Sequence, residues 1–200
     1  MNLTIYRSKV SKMDRSQLNR QRSCVIWLTG LPGAGKSTIA AEVEKNLFNH
    51  GQQVFVLDGD NIRLGLNKNL TFKPDDRREN VRRIAEVAKL FIEAGVIVIA
   101  AVVSPFEKDR DMVKQLFDHG DFIEVFVKCS LEECERRDPK GLYKLARNKQ
   151  IVDFTGVTSP YEIPLNPDII LETEQTSLEE SVDTIIRFLE KGKYINLAEE

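Results

Sequence analysis

No hydrophobic run in this chain is long enough to cross a bilayer. The apolar stretches Val25–Leu28 and Val96–Val103 fall far short of the about 20 residues a spanning helix needs. There is no surplus of one charge either. Lys and Arg total 29 against 31 Asp and Glu, a formal net charge of −2, which gives no sign of a nucleic-acid or membrane-binding surface. Cysteine is scarce: Cys24, Cys129 and Cys134 have no C-x-x-C spacing and no histidine close by. An odd count without a secretory apolar segment fits reduced thiols in a cytoplasmic protein. The two histidines, His50 and His119, fall on predicted distant helix ends, so no histidine base stands out. No internal repeat and no second domain is visible, and 200 residues suit one α/β domain with a full core.

Against these absences stands one stretch, Cys24-Val25-Ile26-Trp27-Leu28-Thr29-Gly30-Leu31-Pro32-Gly33-Ala34-Gly35-Lys36-Ser37-Thr38. It reads as a buried strand, then G-x-x-x-x-G-K-S, then the start of a helix, the context a phosphate-binding loop requires. The glycines let consecutive N–H groups turn toward an anion, and the helix N-terminus adds partial positive charge there. Gly30–Thr38 thus predicts a nucleoside triphosphate site, with Lys36 reaching the β- and γ-phosphates and the Ser37 hydroxyl ligating Mg²⁺. A GTPase reading is set aside: Asn67-Lys68-Asn69-Leu70 starts like a base-reading N-K-x-D element but lacks the aspartate.

Hydrophobic runs alternate with helix-period segments along the chain, the pattern of a parallel sheet with crossover helices. Residues 1–22 carry six Lys/Arg against the single Asp14 and read as a solvated basic arm, with organellar targeting the minority reading. The first helix is expected to end near His50, capped by Gly51. Later strands are expected at Gln53–Leu57, Val96–Val103, Phe122–Cys129 and Asp168–Leu171. Helices are expected from about Asn61 to Leu66, from Asp76 as cap to Gly95, over Glu107–His119 and Leu131–Arg137, and over Ser177–Lys191. Asp138–Pro167 has four prolines and no periodicity, so it reads as an irregular lid segment.

Several clusters carry chemistry. Asp58-Gly59-Asp60 stands at a strand's carboxyl end, where open α/β sheets bind ligands. Beside a phosphate loop its carboxylates suit Mg²⁺ coordination through water and acceptance of a hydroxyl proton, though the sequence does not say which does which. Arg63, Arg77 and Asn80 suit an anion-holding second site, Arg77 and Asn80 sharing a helix face. Arg78 and Arg82 read as solvated. Phe72 and Phe154 can clamp a planar base if they meet over one cleft. Ser104, with Pro105 and Phe106, is placed at a strand tip facing the cleft, without a base to activate it. Arg136 and Arg137, with Lys140, open the lid and can close on a transferring phosphoryl group.

These residues resemble the adenylyl-sulfate kinase family from about Val25 to Phe188. The marks are Gly30–Thr38, Leu57-Asp58-Gly59-Asp60-Asn61-Ile62-Arg63, Gly65-Leu66-Asn67, Asp76–Arg83 and Ser104-Pro105-Phe106. Arg137–Lys144, Phe154-Thr155-Gly156 and Ser159-Pro160-Tyr161-Glu162 complete them. The resemblance implies a P-loop nucleoside-triphosphate hydrolase fold, a five-stranded parallel sheet flanked by helices. It divides the chain into an arm (1–22), a kinase domain (23–195, lid about 136–167) and a tail (196–200). The implied reaction moves the γ-phosphate of ATP to the 3′-hydroxyl of adenosine 5′-phosphosulfate (APS). Asp60, Asn61, Arg63, Phe72, Arg77, Asn80, Ser104, Pro105, Phe106, Lys144 and Phe154 would hold APS, its adenine between Phe72 and Phe154. In that family the serine matching Ser104 is assigned as a phosphoserine intermediate; with no base for it here, direct in-line transfer is preferred. The resemblance also implies a homodimer. Pro32 and Ala34 stand where the family usually has serines, Leu64 replaces a common histidine and Val103 an isoleucine. These departures leave open a kinase acting on the 3′-hydroxyl of another nucleotide, such as a cytidine diphosphate derivative. A non-catalytic ATP-binding regulatory subunit is the rival of another class.

Overall fold

A computed structural model describes Thr4, Tyr6 and residues 8–197. The remaining positions of the predicted arm, and 198–200 of the predicted tail, lie outside the described residues. The chain runs α1 (Lys12–Asn19), β1 (Val25–Thr29), α2 (Lys36–Asn49), β2 (Val54–Asp58), α3 (Gly59–Leu64), α4 (Pro74–Glu93) and β3 (Ile97–Ala101). It continues with α5 (Glu107–Lys114), β4 (Phe122–Lys128), α6 (Leu131–Arg137), α7 (Leu142–Arg147), β5 (Ile169–Glu172) and α8 (Leu178–Lys191).

The five strands form one parallel sheet in the order β2-β3-β1-β4-β5. β1 is central, pairing Val25 with Val98 of β3 on one side and with Phe122 of β4 on the other. All five of its residues are buried because both sheet faces are covered. Alternation along β1 assigns the layers. Ile26 and Leu28 belong to a core with Ile39, Val43 and Leu47 of α2 and Val182, Ile185 and Leu189 of α8. Val25 and Trp27 belong to the opposite core, with Val81, Ile84, Ala88 and Ile92 of α4 and Val113 of α5. The crossovers are helices because parallel neighbours need a connection of a dozen or more residues.

Four local features differ from the sequence-based expectation. α1 falls inside the predicted solvated arm: Ser11 and Asp14 form a capping box. Its following turn docks through Gln21, whose side chain donates to the carbonyls of Gln53 and Gly95 and accepts from Gln53 N. α4 begins at Pro74, which is pre-set for a first helical turn. Asp76 is therefore not its cap, and its carboxylate instead accepts from Thr71 N at 2.9 Å. α5 stops at Lys114 rather than His119, and the irregular segment contains α7. Among the described residues no helix is long and apolar enough to cross a membrane.

Candidate active site

The strands end, at their carboxyl edge, in the phosphate loop, Asp58, the Ser104 turn, Ser130 and Thr173, so one edge of the sheet gathers the chemistry. Within the loop, Gly30 has φ 156° and a Cβ there would lie 2.5 Å from the Val127 carbonyl oxygen, which the backbone cannot yield. Gly33 has φ 79°, and a Cβ would come within 3.0 Å of the Cys134 carbonyl oxygen. The loop is thus pressed against β4 and α6 with no room for side chains at either position.

Outward carbonyls of the loop are held. Lys36 Nζ donates to Gly30 O at 2.9 Å and Leu31 O at 2.7 Å. The Tyr143 hydroxyl donates to Pro32 O at 2.9 Å, and Thr173 Oγ1 to Ala34 O at 3.0 Å. With the carbonyls committed, the first amides of α2, which have no partner within the helix, are left to an anion.

Burial lowers the pKa of Lys36 from 10.5 to about 8, the charges of Asp58 and Asp60 opposing the shift. Between those values the unfolded chain binds more protons than the native one, so this group makes the nucleotide-free protein more stable as pH rises through that window. Phosphate binding wants the ammonium form. We therefore expect kcat/KM for ATP to fall as pH rises through about 8, read from a pH–rate profile, while this group's contribution to the melting temperature of the free protein rises over the same window.

Ser37 Oγ donates to Asp58 Oδ2 at 2.7 Å, while Asp58 Oδ1 caps α3 by accepting from Asp60 N and Asn61 N. A hydroxyl and a carboxylate touching at the mouth of a phosphate loop form a hard oxygen pair. Mg²⁺ commonly takes one or two protein oxygens and fills the rest of its sphere with water and phosphate, so the pair fits it. Among the described residues there is no group of three or more His, Cys, Asp or Glu that would hold a metal alone.

A cleft of about 1210 Å³ runs along this edge. It exceeds an ordinary one-ligand pocket of about 300–1,000 Å³. It is lined by Pro32–Thr38, Asp58, Asp60, Arg63, Phe72, Arg77, Asn80, Ser104, Pro105, Arg137 and Phe154, so most of the sequence-predicted site residues come together. Lys36 and Arg63 both feel the charge of Asp60. Arg63 stacks over Phe72, its Cζ 4.3 Å from the ring centroid. Arg77 donates to Phe72 O at 2.6 Å, to Thr155 Oγ1 at 2.5 Å and to the Asp153 carbonyl, joining the Phe72 loop to the segment carrying Phe154. Phe154 is buried edge-on against Tyr143, and Asn80 accepts from Asn67 Nδ2 at 3.0 Å.

Other predicted residues are placed differently. Gly30, Leu31, Asn61, Phe106, Lys144 and Arg136 do not line the cleft. Arg136 is turned to Glu133, with Nε 2.6 Å from Oε2. Arg137 is tethered by Glu133 and the Thr173 carbonyl. The lid cation that reaches a catalytic candidate is Lys140, paired with Asp60. Arg78 is not merely solvated: it pairs at 3.0 Å with the buried Asp109. Ser104 lines the cleft, but its hydroxyl is buried, donating to Thr29 Oγ1 at 2.9 Å and accepting from Trp27 Nε1 at 3.1 Å. The expectation that this hydroxyl faces the cleft is corrected. Thr173, Thr176, Leu178 and Ser181 also line the cleft and were not anticipated. The strand-end rule that singled out Asp58 applies equally to Thr173.

A phosphate loop after the central strand of a parallel sheet, a Ser–Asp oxygen pair and a second arginine-lined pocket together define a P-loop kinase. The family model for adenylylsulphate kinase matches residues 22–172. The adenylyl-sulfate kinase of Staphylococcus epidermidis is 53% identical over 193 residues, 96% of this chain and 97% of that protein. That of Bacillus pumilus is 56% identical over 187 residues, 93% and 95% of the two chains. Among solved structures, the APS kinase CysC of Mycobacterium tuberculosis in complex with AMPPNP and APS superposes with a TM-score of 0.81 at 44% identity, covering 85% of this chain and 99% of that one. The chain belongs to the adenylylsulphate kinase family.

Proposed function

We propose that this protein transfers the γ-phosphate of ATP to the 3′-hydroxyl of adenosine 5′-phosphosulfate, working, as the family resemblance implies, as a homodimer. The observation that carries the reading is one continuous cleft that holds a phosphate cradle and, with Asp60 interacting with both halves, a pocket of Arg63, Arg77, Phe72 and Phe154. ATP phosphates lie on Gly33–Thr38, with the base toward Arg137, Thr173 and Leu178. Ser37 and Asp58 would hold Mg²⁺, which supplies charge neutralisation at the phosphates. APS takes the other half, its adenine between Phe72 and Phe154 and its anionic groups on the arginines. Asp60 orients the 3′-hydroxyl and accepts its proton, while Lys36 and Lys140 take up charge on the transferred group. Phosphoryl transfer leaves little covalent work to the protein, so positioning and electrostatics supply the rate. The buried Ser104 hydroxyl favours direct in-line transfer over a phosphoserine.

The test is an ADP-release assay with Mg·ATP across a panel of acceptors. ADP is expected with APS, and Ser104→Ala is expected to keep most of kcat while melting earlier, because Trp27 Nε1 loses its acceptor. Faster turnover on a cytidine nucleotide would favour the kinase of a different 3′-hydroxyl. ATP binding without ADP from any acceptor would favour a regulatory subunit.

A further inference from the structure

Ser159-Pro160-Tyr161-Glu162 belongs to the family marks, yet no step above uses it. In the fold this run returns to the sheet against the Ser104 turn. Glu162 N donates to Pro105 O at 2.8 Å, and Glu162 Oε2 accepts from Glu107 N at 2.7 Å. The Tyr161 hydroxyl meets Thr29 Oγ1 at 3.0 Å, and its ring stacks on Phe126. Thr29 Oγ1 in turn donates to Val103 O at 2.8 Å and accepts from Ser104.

Into this seam α5 sends Arg110, which is 2% exposed. Nη1 donates to Ser104 O at 2.8 Å, and Nη2 donates to Glu162 O at 2.8 Å and pairs with Glu107. Nε lies 3.0 Å from Glu124 Oε1 on β4, a contact ion pair rather than an aligned hydrogen bond. One guanidinium therefore joins the Ser104 turn, the returning lid segment and the sheet. Ser104 has φ 37°, a left-handed value that a residue with a Cβ rarely adopts and that its surroundings must hold in place.

We propose that Arg110 is a positioning residue for the acceptor half of the cleft. It fixes the Ser104 carbonyl and the Glu162 carbonyl to one rigid fork, so that the wall at Ser104 and Pro105 and the segment carrying Phe154 and Thr155 keep one spacing. Lysine cannot replace it, because a point charge on a flexible stem does not reproduce the planar fork. The phosphate loop is anchored separately, by Tyr143, Thr173 and Lys36. ATP binding should therefore be spared. The inference rests on the acceptor assignment above.

The experiment is steady-state kinetics of Arg110→Lys and Tyr161→Phe in the full chain, with melting curves. Arg110→Lys is expected to raise KM for APS about tenfold or more, the equivalent of one charge-assisted hydrogen bond, with KM for ATP nearly unchanged. Tyr161→Phe keeps the stacked ring and is expected to raise KM for APS by a smaller factor. Parallel rises in both KM values, or an unchanged KM for APS in a folded variant, would overturn the proposal. If Arg110→Lys does not fold, an unchanged KM for APS in Tyr161→Phe overturns it alone. Wild-type protein that fails to turn over APS refutes the acceptor assignment instead, and the same comparison is then made with whichever 3′-hydroxyl nucleotide it does phosphorylate.

Discussion

Lys36→Ala is expected to lower kcat by roughly 10³-fold or more while leaving a cooperative melting transition. Two physical points lead there. The ammonium donates to the carbonyls of Gly30 and Leu31, inside the same loop, so it is already aimed at the cradle. Its burial pulls its pKa down to about 8, which means that the folded chain bears the cost of keeping a cation there. Removing a group whose charged form is disfavoured by its own site should cost the fold little. The loop keeps its other anchors, Tyr143 on Pro32 O and Thr173 on Ala34 O. The transferred phosphoryl group, by contrast, loses a cation that no water can replace with the same preorganisation. Comparing kcat with the melting curve of one preparation checks this. Retained turnover with an intact transition would remove Lys36 from the reaction.

The parts of this site that rest on local chemistry were legible in the sequence. The strand–loop–helix unit of Val25–Asn49 announces itself by glycine spacing and flanking periodicity, and Asp58 by its place at the end of an apolar run. For the Ser104 hydroxyl and for the docking of α1, the deciding partners lie far along the chain. The Ser104 hydroxyl is buried because Trp27 and Thr29 stand next to it across β1 and β3, and nothing near residue 104 reports this. α1 has no buried residue of its own. It persists through its capping box and through the docking of Lys12 on Asp121 and Asn19 on the Gly95 carbonyl, contacts that no periodicity encodes. Its Ser11…Asp14 spacing resembles a capping box, a signal that was available. Asp76 shows the opposite error: an acidic residue before an apolar stripe resembles a cap, but Pro74 already supplies the helix start and Thr71 takes the carboxylate. Arg136 and Arg137 looked equivalent to Lys140 in one basic run. Only the turn from α6 into the lid separates the cations held by Glu133 from the one that reaches Asp60.

Asp60→Asn is the second substitution expected to act strongly, lowering kcat by about 10²- to 10⁴-fold, the range for loss of a positioned general base, with little change in KM for ATP. Under the proposed mechanism the two aspartates of Asp58-Gly59-Asp60 take separable roles, because their surroundings differ. Asp58 is committed to the fold: one oxygen caps α3 and the other accepts from Ser37, so changing it disturbs the loop and the metal-fitting pair together. Asp60 is 66% exposed and pairs with Lys140, itself 59% exposed. Such a surface pair is worth about 0–1 kcal/mol. An arriving 3′-hydroxyl can therefore displace Lys140 cheaply, leaving the carboxylate free to take the proton and the ammonium free to follow the phosphoryl group. Asparagine keeps the shape and can still orient the hydroxyl, but it cannot accept the proton. Single-turnover measurement with saturating ATP and APS isolates the chemical step, and the melting curve should be unmoved. An Asp60→Asn protein that transfers phosphate at close to the wild-type rate would show that orientation alone suffices, and the proton would then have to leave to solvent rather than to this carboxylate.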